Sequence, residues 1–169
     1  MVLLVLDQSD GEQTAVVAMA AEYCEADHVT FMARQARGLV SLALTEERCE
    51  QLNLPPMVDP ATSGAVKLSI EASTGIDTGI SAADRARTVR VAVAPDAKPS
   101  DLVQPGHIFP VATLTGGVLI RTGAAEAGVD LAILAGLMPA AVFTEVLDAN
   151  GDLANAAALV AFADKHDIT

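Results

Sequence analysis

Thr78-Gly79-Ile80-Ser81-Ala82-Ala83-Asp84-Arg85-Ala86-Arg87-Thr88-Val89-Arg90-Val91-Ala92-Val93-Ala94-Pro95 holds the clearest helix signal in the 169-residue chain. Ser81 is a favourable N-cap, and Val89, Ala92 and Val93 interleave with Arg85, Arg87 and Arg90, so one face is apolar and the other charged from Ala82 to Ala94. Pro95 stops it, because proline cannot continue the backbone ladder.

Outward from this helix, short apolar runs alternate with helical patterns. Val2 to Leu6 reads as a buried strand emptying into an acidic loop, Asp7 to Thr14. Asp27 caps a helix through about Ala36 with Gly38 past its end, Leu39 to Leu44 returns as a strand, and Thr45 caps a short helix, Glu46 to Leu52. Val66, Leu68 and Ile70 alternate with Lys67, Ser69 and Glu71 in the period of a half-exposed strand. Gln104-Pro105-Gly106-His107 reads as a turn, and Val118 to Ile120 as a strand. Arg121 to Ala124 leads into a helix, Ala125 to Leu137; a strand, Ala140 to Leu147, a turn, Asp148 to Asp152, and a last helix capped by Asn155 and ending near His166 close the chain. The pattern predicts one α/β (α+β) domain over residues 1–169, three layers around a mixed twisted sheet.

Composition bounds the function. Hydrophobic residues make up 51% with 3% aromatics and no Trp, which excludes disorder and calls for an Ala, Val, Leu and Ile core. A net charge of −12 repels nucleic-acid phosphates and an anionic membrane surface, so neither is expected as a partner. No uninterrupted apolar run reaches membrane-spanning length, and a cytoplasmic protein is expected. Cys24 and Cys49 fit no disulfide or metal pattern and read as free, semi-buried thiols.

Four groups of residues could carry chemistry. Asp7, Asp10 and Glu12 place three carboxylates within six positions, enough to hold Mg²⁺ with waters or to form a solvated acidic turn. His107 offers a titratable imidazole for acid–base work. Arg121-Thr122-Gly123, before a helix N-terminus, is a possible anion seat, and Glu145 interrupts an apolar strand with a carboxylate that must meet a polar cavity, a partner or water.

At these residues the chain resembles the 3,4-dihydroxy-2-butanone 4-phosphate synthase family of riboflavin biosynthesis, from Val2 through the last helix. Val5-Leu6-Asp7, Leu44 to Arg48, Thr78 to Arg85 with Thr88-Val89-Arg90, Lys98 to Leu102, Pro105 to Pro110, Gly116 to Leu119 and Phe162 to His166 carry the likeness. The resemblance implies that family's fold, a homodimer with sites at the subunit interface, and conversion of ribulose 5-phosphate to formate and a four-carbon phosphate with Mg²⁺. It also implies that His107 matches the family's catalytic histidine, Glu145 the glutamate working with it, and Glu12 a metal ligand.

Several site positions depart from the family pattern. Its acidic loop, D-x-E-D-R-E-N-E-G-D, reads Asp7-Gln8-Ser9-Asp10-Gly11-Glu12-Gln13-Thr14-Ala15-Val16 here, keeping Asp7, Asp10 and Glu12 while Gly11 replaces an arginine and Ser9, Thr14 and Val16 replace acids. Ala124 stands for the family's metal histidine, Ala125 for its substrate-contacting threonine and Ser41 for a cysteine, and a loop is shortened near Ser63-Gly64-Ala65. These changes swap charge and hydroxyl for methyl groups. The expectation that follows is a repurposed, metal-independent isomerase, cyclase or lyase of specialised metabolism. His107 and Glu145 would transfer protons on a less polar carbonyl substrate contacted by Arg121, Thr122, Ala124, Ala125, Asp7, Asp10, Ser41 and Val16. In that reading no cofactor is needed, Mg²⁺ entering through Glu12 only if the synthase reaction survives; the alternatives are a non-catalytic partner on the same fold and the Mg-dependent synthase itself.

Overall fold

A computed structural model describes residues 1–7, 13–58 and 65–169, with the side chains of Asp7 and Gln13 excepted. Six strands form one sheet in the order β1-β2-β6-β3-β5-β4. They are β1 Val2–Asp7, β2 Gln13–Ala20, β3 Ser41–Thr45, β4 Ile70–Ala72, β5 Leu102–Thr113 and β6 Ala140–Glu145. Only β3 and β5 run parallel; β1–β2, β2–β6, β3–β6 and β4–β5 are antiparallel, which makes the sheet mixed as expected.

The helices are α1 Ala26–Phe31, α2 Glu46–Gln51, α3 Ala82–Val93, α4 Ala124–Leu134 and α5 Ala156–His166. Ser81, Thr45 and Asn155 cap α3, α2 and α5 by accepting from the N–H groups of Asp84, Arg48 and Ala158, respectively. One sheet face carries Leu42, Leu44, Ile70, Ile108 and Val142 against α1 and α3, with Val29, Val89 and Ala92 filling the gap. The opposite face sets Val16, Ala18, Ala43, Ala141 and Phe143 against Ala125 and Val129 of α4. Helices on both faces make the three layers.

Helix α4 lies across the strands. At its start Arg121 reaches the carbonyl of Ala112 on β5, while Leu131 and Ala132 line a cavity with Val2 and Ala18 on β1 and β2. It can lie this close because Gly128 has no side chain: a Cβ there would sit 2.8 Å from that of Ala141.

Several sequence expectations change. The polar stretch Gln104 to His107 is part of β5, not a turn. Proline is tolerated because pairing of β5 with β3 begins only at Phe109, so Pro105 removes no ladder donor on that side. Val118 to Ile120 is not a strand; Gly116 and Gly117, at φ of 97° and 58°, start a 3-10 turn, Gly117–Leu119. The helix expected from Asp27 begins after Glu25 and, past Phe31, widens into a π-helical turn, Met32–Ala36, ended by Arg37 in the left-handed region. The run Val2 to Leu6 is an edge strand with Val5 exposed, whereas β2, with Val16 and Val17 buried, is the interior strand beside it.

Candidate functional site

Side chains two residues apart on a strand share a face, and directly paired residues share it too. Ser41 pairs with Phe109 on β5 and with Phe143 on β6, and Val16 pairs with Glu145. His107, Phe109, Ser41, Phe143, Glu145 and Val16 therefore all lie on the face that carries α4. His107 and Glu145 each stand two residues before or beyond the Ser41 row, which places them level with one another and two strands apart. At roughly 4.8 Å per strand that is about 10 Å. Groups that far apart do not exchange a proton directly.

The partner of His107 is Glu71 on β4, whose Oε1 lies 2.8 Å from Nδ1. Nε2 has no hydrogen-bond partner among the described residues. The sequence placed Glu71 on the solvent side of a half-exposed strand, with Lys67 and Ser69, and the structure corrects all three. Lys67 is 6% exposed and pairs with Glu46 at 2.9 Å, Ser69 accepts from the Gly106 N–H at 3.1 Å, and Glu71 faces the histidine. The expected strand is also shorter, with β4 beginning only at Ile70, and Lys67 and Ser69 turn inward from the irregular chain before it; the alternation was the available signal for Glu71.

The local chain is shaped to seat this carboxylate. Gly79, at φ +75°, passes so close that a Cβ there would fall 1.2 Å from Glu71 Oε1. Asp84 holds the loop carrying Gly79, accepting from the N–H groups of Gly79 at 2.9 Å and Thr78 at 3.1 Å. Burial works to raise the Asp84 carboxyl, but hydrogen bonds from Ser81, Gly79, Asp77 and Thr78 outweigh it and hold the group below its ordinary range.

The remaining candidates divide. Val16 is core, sealed with Ala43, Ala125 and Phe143, and presents methyl groups beside Glu145 rather than a free contact. Ser41 is 6% exposed. Thr122 is exposed, and Ala124 and Ala125 form the first turn of α4 with Ala125 buried. Arg121 is already engaged: Nε donates to Glu126 Oε1 at 2.7 Å, Nη2 donates to the same oxygen and to the Ala112 carbonyl, and Glu126 is 1% exposed. Nε and Nη2 are thus committed, and Nη1 alone remains for an anion among the described contacts. Asp10 and Glu12 lie outside the described residues, as does the side chain of Asp7.

Among the described residues no group of three His, Cys, Asp or Glu side chains could hold a metal ion, and Ala124 has no donor atom. These residues do not fit the family's pair of Mg²⁺ ligands. Cys24 and Cys49 are buried free thiols, pushed up by burial to about 11 and about 12, respectively, with Arg90 opposing the first and Lys67 the second. Neither is a nucleophile at neutral pH.

A mixed sheet in a three-layer domain, with an imidazole and two carboxylates on one face, makes a candidate acid–base site. The sequence model of 3,4-dihydroxy-2-butanone 4-phosphate synthase matches residues 1–169, and the chain belongs to this family. A synthase of that name from Pseudomonas syringae pv. tomato is 53% identical over 99% of this chain and 46% of its own length. One from Chloroherpeton thalassium is 48% identical over 98% of this chain and 74% of its own. The crystal structure of RibBX, a two-domain synthase from A. baumannii, superposes with a TM-score of 0.90 at 48% identity, covering 98% of this chain and 50% of that one. A synthase solved with two magnesium ions gives a TM-score of 0.89 at 37% identity, covering 99% and 85%. The chain spans about half the length of the first of these relatives.

These likenesses overturn the expectation of a repurposed isomerase, cyclase or lyase in specialised metabolism. Relatives carrying the synthase name stay 44–53% identical along nearly all of the chain, so the methyl-for-charge changes are local substitutions in a synthase framework rather than marks of a new enzyme class. No helix among the described residues is long and apolar enough to cross a membrane.

Proposed function

We propose that the chain is a 3,4-dihydroxy-2-butanone 4-phosphate synthase domain acting on ribulose 5-phosphate in riboflavin biosynthesis. The observation that carries this reading is the placement of His107, with Nε2 unpartnered among the described residues, level with Glu145 across the face of a fold shared with synthases at a TM-score of 0.90. In this reading Nε2 of His107 takes the proton from a carbon beside the keto group, and the electron pair moves into an enediolate. Glu145, about 10 Å away across two strand spacings, serves the far side of the substrate. Arg121 Nη1, without a partner among the described contacts, would meet a phosphate oxygen. A homodimer belongs to the same proposal, supported by exposed apolar side chains on and before α4: Leu119 (91%), Leu134 (82%) and Ile120 (66%).

A second reading has its own support. Ala124 and Ala125 carry no donor or hydroxyl, and a synthase-like domain without turnover, binding the sugar phosphate or a partner subunit, accounts for them directly. Formate release from ribulose 5-phosphate with Mg²⁺ present separates the two. The synthase reading expects formate from the wild type and a loss of about 10²–10⁴-fold in His107→Ala, the usual contribution of a positioned acid–base group. The binding reading expects none from either, and formate only after Ala124→His with Ala125→Thr.

A further inference from the structure

Resting on the reading that His107 carries the proton, we propose that Glu71 is its positioning residue, fixing the imidazole in the Nδ1–H form so that Nε2 is the base. Three observations converge. The Oε1–Nδ1 distance is 2.8 Å, and the Glu71 side chain is only 15% exposed against 40% for His107, so the contact is shielded on the carboxylate side. A carboxylate accepts and cannot donate, so the proton between them sits on Nδ1. The geometry around the pair is dedicated to it: Gly79 leaves the volume that Glu71 fills, and Gly106, where a Cβ would lie 2.1 Å from the Ile70 carbonyl oxygen, lets β5 press against β4 beside His107. In the register that pairs Ile70 with Ile108 the residue opposite Glu71 is His107; the strands then shift, so that the Glu71 backbone pairs with Val103 while its carboxylate stays on the histidine.

The consequence for the reaction is an imidazole that does not have to turn or change tautomer before accepting a proton. When Nε2 takes the substrate proton, both ring nitrogens carry hydrogen, and the Glu71 carboxylate stabilises the resulting imidazolium. Returning the proton to substrate restores the starting form.

The ring nitrogens of His107 in the ¹⁵N-labelled 169-residue chain test this without reference to turnover. At pH 8 the wild type should show a protonated Nδ1 and a bare Nε2, and Glu71→Ala should shift the ring toward the Nε2–H form. A wild-type ring protonated on Nε2 overturns the proposal, whether or not Glu71→Ala folds, and so does an unchanged ring in a folded Glu71→Ala. Glu71→Gln keeps the size and removes the charge. It should lower kcat for formate release by about 10–100-fold with KM little changed, the scale typical of a group orienting a catalytic partner. An equal kcat in Glu71→Gln also overturns it. A wild type with the Nδ1–H ring but no formate leaves the positioning intact and rejects the synthase reading instead.

Discussion

At the scale of single residues the controlling contacts are short links between polar groups: Asp84 to the loop of Gly79, Gly79 clearing room for Glu71, and Glu71 to His107. Because the folded Asp84 carboxyl is held below its ordinary value, near 3.9 in the unfolded chain, its contribution to stability is fully present above that value. It is lost as pH falls through the lower folded value. Asp84→Asn should therefore melt at a lower temperature than wild type at pH 6 to 7, with the gap closing below about pH 4, where the unfolded carboxyl protonates. Thermal melts across that range check it; a gap that widens on acidification contradicts the assignment. His107, Glu145 and Arg121 were legible in the sequence through residue type and resemblance. Glu71 was not, because strand alternation alone says which residues share a face and not which face is the site.

At the scale of elements, capping chemistry made α2, α3 and α5 readable, since Thr45, Ser81 and Asn155 act locally through their own hydroxyl or amide oxygens. Strand β5 was hidden because Pro105 and Gly106 are turn residues by preference, and only the register shift against β4 and the late start of pairing with β3 make them acceptable there. The π-helical turn after α1 likewise depends on tertiary packing around Met32 and Ala36, both buried. The tight seat of α4 gives a second prediction. Gly128→Ala improves helix propensity by up to about 1 kcal/mol but drives a methyl to 2.8 Å from the Ala141 Cβ. Overpacking of this kind costs about 1–3 kcal/mol, so net destabilisation should appear as a lower midpoint in urea. A stabilised variant indicates that α4 is not held against the sheet as described.

For the whole molecule, the alternation of apolar runs and helices announced a three-layer α/β domain, while the sheet order β1-β2-β6-β3-β5-β4 depends on long-range pairings that local pattern does not encode. The exposed apolar residues around α4 give the prediction for this scale. Light scattering of the wild type should return twice the mass of one chain, and Leu119→Glu with Leu134→Glu should return a single chain with its circular dichroism intact. A wild-type monomer at micromolar concentration removes the dimer from the proposal. The central claim, that this face transfers a proton to and from a sugar phosphate, is tested most directly by exchange in D₂O. With ribulose 5-phosphate, proton NMR should show deuterium entering at the carbon beside the keto group in the presence of the wild type, and exchange slowed by about 10²-fold or more in His107→Ala. Exchange no faster than in buffer alone, or equal in the two proteins, contradicts the account.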